Sequence, residues 1–144
     1  MDIPEAPAEK NASTAHAVKT GKLVFLSGVF PWKEGRLAYK GRVGLELNLD
    51  AGKLAAHAAC IQALGILRHF LDGSLNSVKQ IVSLKGFVAS GAEFKEHQKV
   101  MDGASGLLID IFGGAAGRHA RTAVGVNALP GGAAIELEMI VEVR

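Results

Sequence analysis

The chain contains one cysteine, Cys60, one tryptophan and one tyrosine. A lone cysteine excludes an intrachain disulfide framework and a multi-cysteine zinc site. Sixteen basic residues against fourteen acidic ones leave a formal net charge of only +2. That balance, with so few rings, argues against the basic stripe and stacking platforms of a nucleic-acid surface. Long apolar runs are also missing. The most apolar stretch, Leu54 to Leu71, holds His57, Gln62, Arg68 and His69, groups that are costly at a bilayer centre. The opening Met1-Asp2-Ile3-Pro4-Glu5 has neither a basic n-region nor an apolar h-region, so the expected location is the cytoplasm. What is present is ordinary globular material: 144 residues, 49% apolar and 21% charged, enough for one domain with its own core.

Residues 1–13, rich in Ala, Pro and charge, read as a loose lead-in to a single domain over residues 14–144. Ala15 to Lys19 and Lys22 to Gly28 are β-prone runs joined by Thr20-Gly21, a hairpin pattern, and Pro31 with Trp32-Lys33-Glu34-Gly35 ends the second run. Arg36 to Leu49 is irregular. Asp50 can cap a helix that runs to about Asp72, where Gly73 supplies a left-handed C′ residue; Leu54, Ala58, Ile61, Leu64 and Leu71 form its stripe. Ile81 to Ala89 alternates as a strand, with Val82, Leu84 and Val88 on one side. A second helix spans Ala92 to Phe112 with Phe94, Met101, Ala104, Leu108 and Ile111 on one face. Gly103 and Gly106 predict close packing or a kink inside it, and Gly113-Gly114 a stop. Arg121 to Asn127 and Ala134 to Val143 are the last strands. In the final one Ile135, Leu137, Met139, Val141 and Val143 oppose Glu136, Glu138 and Glu142. One apolar and one polar face, in the order ββ-α-β-α-ββ, predict an α+β sandwich with both helices on one face. Ile140, Ala123 and Gly125 are assigned to the polar face, a mixture that suits partial cover by another subunit.

The residues for most catalytic chemistries are lacking. His16, His57, His69, His97 and His119 are scattered without metal-ligand spacing, so no metal site is expected. The glycines of residues 113–117 follow a helix, the wrong order for a phosphate loop, and Ser27 lacks a nucleophile elbow. Cys60 reads as an inert core thiol. Arg121 remains. It opens a strand whose own-face neighbours, Ala123 and Gly125, leave volume beside a planar five-donor fork, as a carboxylate clamp needs. The competing reading is an edge arginine paired with a last-strand glutamate. Arg118 and His119 stand just upstream, as loop residues close enough to take part.

Three segments carry a resemblance: GKLVFLSG (Gly21 to Gly28), the strand Ile81 to Val88, and RTAVGVNALPGGAAIELEMIVEV (Arg121 to Val143). Together they resemble the RidA, or YjgF, family from about Ala15 onward. The most specific part is the arginine opening a strand, the Leu129-Pro130 turn and the Ile-Glu-Leu-Glu strand. Gly103 to Val126 looks like a divergent branch labelled putative endoribonuclease or translation inhibitor. The resemblance implies a chorismate-mutase-like two-layer sandwich with a mixed, mainly antiparallel sheet. It also implies a homotrimer with ligand clefts between subunits, hydrolysis of 2-imino acids to 2-keto acids and ammonia, and no metal or organic cofactor. By that resemblance Arg121 grips the substrate carboxylate, Glu136 holds the water, and the backbone at Gly28 contacts the ligand.

Departures from the family pattern accompany the match. Thr14 stands where the family has a tyrosine, Val29 where it has a glutamine after Ser-Gly, and Ala123 where it has a cysteine. Gln98 and Asp102 both answer to the asparagine of the second helix. The expected substrate-binding set is therefore Gly28, Val29, Ala123 and Thr14 around Arg121 and Glu136, with altered pocket walls. Three functions follow in order: an imine or enamine deaminase, a non-catalytic binder of small carboxylates, and an RNA-cleaving or RNA-binding protein (endoribonuclease or translation inhibitor).

Overall fold

The computed structural model describes residues 2–7 and 13–144. Strands β1 (Ala17–Thr20) and β2 (Leu23–Val29) form the first hairpin. Thr20 pairs with Leu23, so the turn is Gly21-Lys22, one residue later than expected, and Gly21 takes φ 58° where a Cβ would be strained. Val24, Leu26 and Val29 all enter the core. Leu26 and Val29 are three apart and would face opposite ways in a regular strand. The ladder shifts between them, so Ser27 and Gly28 bulge and Val29 is returned inward. Trp32-Lys33 does not simply end β2. It forms β3 (Trp32–Lys33), paired with β4 (Arg36–Leu37) around Glu34 and Gly35, both at positive φ as a tight two-residue turn requires.

Helix α1 covers Leu49–Phe70. Asn48, not Asp50, caps it: the Asn48 side chain accepts from the Ala51 N–H at 2.8 Å, while Asp50 lies in the first turn and complements the helix dipole. The helix ends two residues before Asp72, because Asp72 and Gly73 both turn left-handed and the Gly73 N–H donates to the Arg68 carbonyl at 2.8 Å. The expected stripe is displaced as well. Leu54 is 54% exposed, and the buried face runs through Gly52, Ala55, Ala56, Ala59, Cys60, Ala63, Leu64 and Leu67. Small residues let the helix lie close to the sheet, and that closeness decides which face is covered.

Strand β5 (Val78–Ala89) begins three residues earlier than expected. A register shift between Ile81 and Ser83 brings Ile81 and Leu84 into the core and leaves Val82 half-buried. Helix α2 spans His97–Ala116, later than the expected start at Ala92. Phe94 packs on the core from the turn before it. Gly103 is a close-packing point: a Cβ there would run into the Lys53 carbonyl of α1. Gly106 faces open space, and the break falls at Gly113 (φ 82°), after which one more turn reaches Ala116.

Strands β6 (Ala120–Val126) and β7 (Ile135–Val143) complete a five-stranded sheet in the order β1-β2-β7-β5-β6. Only β5 and β6 run parallel. The alternation in β7 is realised: Ile135, Leu137, Met139, Val141 and Val143 are buried, and the glutamates and Ile140 are half-buried on the other side. Both helices cover one face, as expected for an α+β sandwich. Register corrects one assignment. Arg121 pairs with Leu84 and Ala123 with Gly86, whose partners are core residues, so Arg121, Ala123 and Gly125 lie on the helix-covered face. The open face instead carries Ile140 beside Phe25 and Val18, with Val124 farther along. In the lead-in, Ile3 and Ala6 pack on the core, and Arg68 donates to the carbonyls of Ile3 (2.8 Å) and Pro4 (3.2 Å). Residue 1 and residues 8–12 of the lead-in lie outside the described residues.

Candidate functional site

The parallel β5-α2-β6 unit builds the first half of the site. Gln98, Asp102 and Ser105 recur at i, i+4 and i+7 on α2, one face of a helix, and that face meets the edge strand β6. Arg121 reaches across to all three. Its Nη1 donates to Asp102 Oδ1 at 2.9 Å and to Ser105 Oγ at 3.1 Å, and Nη2 donates to Gln98 Oε1 at 3.0 Å. Among the described residues these bonds engage three of the five guanidinium N–H groups. The Arg121 side chain is 21% exposed and Asp102 62% exposed. The cation is therefore held flat by a partly buried wall, while its counter-charge stands in solvent.

Two expectations are corrected here. Arg121 pairs with Asp102 of α2 and not with a glutamate of β7. The volume anticipated beyond Ala123 is filled at Gly125, where His97 crosses the strand. A Cβ at Gly125 would collide with His97 Nε2, which is hydrogen-bonded to Ser90 Oγ at 3.1 Å and steadied by an edge-on contact with Phe94.

His119 belongs to this cluster, while Arg118 is exposed. His119 Nε2 lies 2.8 Å from Ser105 Oγ and Nδ1 lies 2.7 Å from the Gly117 carbonyl oxygen. The turn that presents it is pinned by the Gln80 side chain, which donates to the carbonyls of Ala116 and Arg118. Sequence alone keeps His119 in play through its closeness to Arg121 but does not single out Ser105. Two signals pointed to them: a polar i, i+4, i+7 row inside an apolar helix, and the two-residue spacing of His119 and Arg121 along an edge strand.

The second half lies at the β2 bulge. The Glu136 carboxylate sits over Gly28, and a Cβ at Gly28 would overlap Glu136 Oε2, so the missing side chain makes room for the acid. Val29 is 3% exposed and belongs to the core. Gly28 and Val29 line a small cavity of about 140 Å³ with His16, Trp32 and Gln62. Thr14 is exposed and precedes β1, the sheet edge opposite β6.

One chain does not bring the two halves together. Glu136 pairs with Phe87 on the open face, whereas Arg121 pairs with Leu84 on the helix face. Strand β5 also separates them, so two strand spacings, roughly 10 Å, lie between their backbones. Cys60 takes no part: it is fully buried, its Sγ meets the Ala104 carbonyl at 3.7 Å, and burial pushes the thiol up to about 12. Among the described residues no group of three or more His, Cys, Asp or Glu is arranged to hold a metal ion. No helix among them is long and apolar enough to cross a membrane.

The fold is a two-layer α+β sandwich with a half-buried cationic fork on its edge strand and a carboxylate over a bulged glycine. Comparison with known proteins narrows the class. The model of the YjgF/chorismate mutase-like, putative endoribonuclease family matches residues 1–141. Protein TCP17 of Trypanosoma cruzi is 39% identical over 144 residues, spanning 100% of this chain and 89% of its own length. The crystal structure of a putative endoribonuclease from Shewanella oneidensis superposes with a TM-score of 0.93 at 31% identity, covering 99% of this chain and 93% of that one. At 18% identity, Escherichia coli TdcF with bound serine shares the fold, with a TM-score of 0.65 over 97% of this chain and 94% of its own. The chain belongs to the YjgF/chorismate mutase-like family.

Proposed function

We propose that this chain is a RidA-like enamine and imine deaminase, hydrolysing small 2-imino acids to 2-keto acids and ammonia at a site shared between copies of a homotrimer. The observation that carries this reading is the Arg121 fork, fixed in plane by Gln98, Asp102 and Ser105 and largely buried. Such a fork recognises a carboxylate by paired N–H bonds. Its present partner, Asp102, is exposed, and an exposed ion pair is weak enough for an incoming carboxylate to displace it. Water then adds to the imine carbon, the carbinolamine expels ammonia, and the keto acid remains. The iminium carbon is already electrophilic, so fixing the acid group and one water supplies much of the catalysis. Glu136 of a second copy orients that water or takes its proton. The apolar row Val18, Phe25 and Ile140 on the open face supports association of copies. Bound serine in TdcF, a small amino acid with a carboxylate, is in keeping with the ligand class.

A second reading is a non-catalytic binder of small carboxylates. It is favoured by the separation of Arg121 from Glu136 within one chain, which leaves the clamp without that carboxylate unless copies assemble. The test generates an imine with an amino-acid oxidase and traps what survives with semicarbazide. The wild-type protein should accelerate imine loss, and Glu136→Gln should slow it by about 10²- to 10⁴-fold, the worth of a general acid–base group. Light scattering should return about three times the chain mass. No acceleration for any small imine, with 2-keto acid binding retained, would give the binder first place.

A further inference from the structure

Ser105, one of the groups that fix Arg121, also meets His119, which imine hydrolysis does not use. The Gly117 carbonyl can only accept a hydrogen bond. In the neutral imidazole the proton therefore sits on His119 Nδ1, 2.7 Å from that oxygen, and Nε2 offers a lone pair. Ser105 Oγ, 2.8 Å away, donates its proton to Nε2 and accepts from Arg121 Nη1 at 3.1 Å. The hydroxyl thus has its proton aimed at a base and a lone pair held against a fixed cation. A nucleophile, a base and an orienting third group in hydrogen-bond contact are the relation that activates a serine.

The surroundings keep that relation in register. Gly117 is buried, its N–H donates to the Gly113 carbonyl at 2.9 Å, and Gln80 ties down the carbonyls on either side of it. The oxygen that selects the imidazole tautomer is therefore anchored. Ser105 and His119 are only half-buried, so a reagent can reach them. Gly106, next to Ser105 in α2, faces open space.

We infer that Ser105 and His119 form a second reactive centre, a nucleophile and its general base, for hydrolysis of small carboxylic esters. Ser105 Oγ bonds to the acyl carbon as its proton passes to His119 Nε2. The carbonyl π pair moves onto oxygen, and that oxyanion forms one atom from Oγ, which lies 3.1 Å from Arg121 Nη1, so the cation stabilises the new charge. The adduct collapses, the alcohol leaves with the proton from His119, and an acyl-serine remains. Water then gives a proton to Nε2 and its oxygen to the acyl carbon. Ser105 leaves with that proton, releasing the acid and restoring the pair.

The test needs no imine, so it succeeds or fails independently of the deaminase reading. A small alkyl fluorophosphonate should place one adduct per chain on Ser105, read by intact mass and peptide mapping. Ser105→Ala should take none, and His119→Gln should slow labelling by about 10²-fold or more. p-Nitrophenyl acetate should give a burst close to one equivalent. Because His119→Gln can also loosen the turn, Ser105→Cys supplies a second readout with His119 intact. Its thiol should react with iodoacetamide at pH 6.5 about tenfold faster than glutathione, since a neighbouring cation and base favour the thiolate. Cys60, fully buried, stays silent in that assay. Absence of an adduct on Ser105, or equal labelling rates in wild type and His119→Gln, would overturn the proposal and leave the pair as a strut of the α2–β6 turn.

Discussion

Helices α1 and α2 lie in one layer on one sheet, yet they do different work. Half of α1 is buried, eleven of its 22 residues, against five of 20 in α2. The polar groups that α1 turns inward hold the chain to itself: Gln62 Nε2 donates to the Trp32 carbonyl at 3.0 Å, and Arg68 ties down Ile3 and Pro4. Helix α2 sets Gln98, Asp102 and Ser105 against an edge strand, where they meet Arg121 instead of closing on one another. Helix α1, which lies over β7 and β2 and against α2, becomes scaffold because sheet and neighbour cover it. The helix over the edge keeps one side open, and polar chemistry is affordable there because water still reaches it.

That contrast makes stability and ligand binding separable. Leu64→Ala, at a fully buried position of α1, should cost about 2–5 kcal/mol in urea unfolding with the slope unchanged, and should leave 2-keto acid affinity of the folded protein as it was. Loss of affinity without loss of stability would break the division. Arg121→Ala should do the reverse. Titration calorimetry should show 2-keto acid binding weakened by about 1.5–3 kcal/mol, the scale of a hydrogen bond to a charged group, with little change in stability. Arg121→Lys should recover only part, since an ammonium lacks the planar fork. If Arg121→Ala unfolds the protein, the α2–β6 edge is scaffold too. The smallest effect sharpens the comparison most. Asp102→Asn removes the carboxylate competing for Arg121 and should raise 2-keto acid affinity by about two- to fivefold, the range of an exposed ion pair. A drop in affinity instead would make Asp102 part of the ligand's own wall.

The places where sequence reasoning slipped share a cause. Leu54 is an apolar residue in the first turns of α1, yet it faces solvent, because the buried face runs through Gly52, Ala55, Ala56 and Ala59, whose small size permits close approach, Gly52 lying against Val43 and Val100. Val82 and Val29 are shifted by bulges, which move one residue out of a period-2 pattern without leaving a mark in composition. Asn48 and Asp50 are both good caps, and only the backbone turn at Asn48, extended at ψ 176°, decides between them. Arg121 stands out in the sequence because a cation among small neighbours on a strand is unusual. Its partners do not, since Gln98, Asp102 and Ser105 reach it only after the β5-α2-β6 crossover folds back.

By itself, the sequence determined the two helices and the five strands of the main sheet, the inward face of β7 and the cover of one sheet face by two helices, but not the β3-β4 hairpin. Those properties follow from local periodicity: side chains alternate every second residue in a strand and return every third or fourth in a helix, wherever the element lies. The tertiary structure alone decided that Arg121 and Glu136 belong to opposite faces, and that Ser105, His119 and Arg121 meet. Strand order and register set those relations, and both depend on contacts between segments far apart in the chain, which no local pattern encodes.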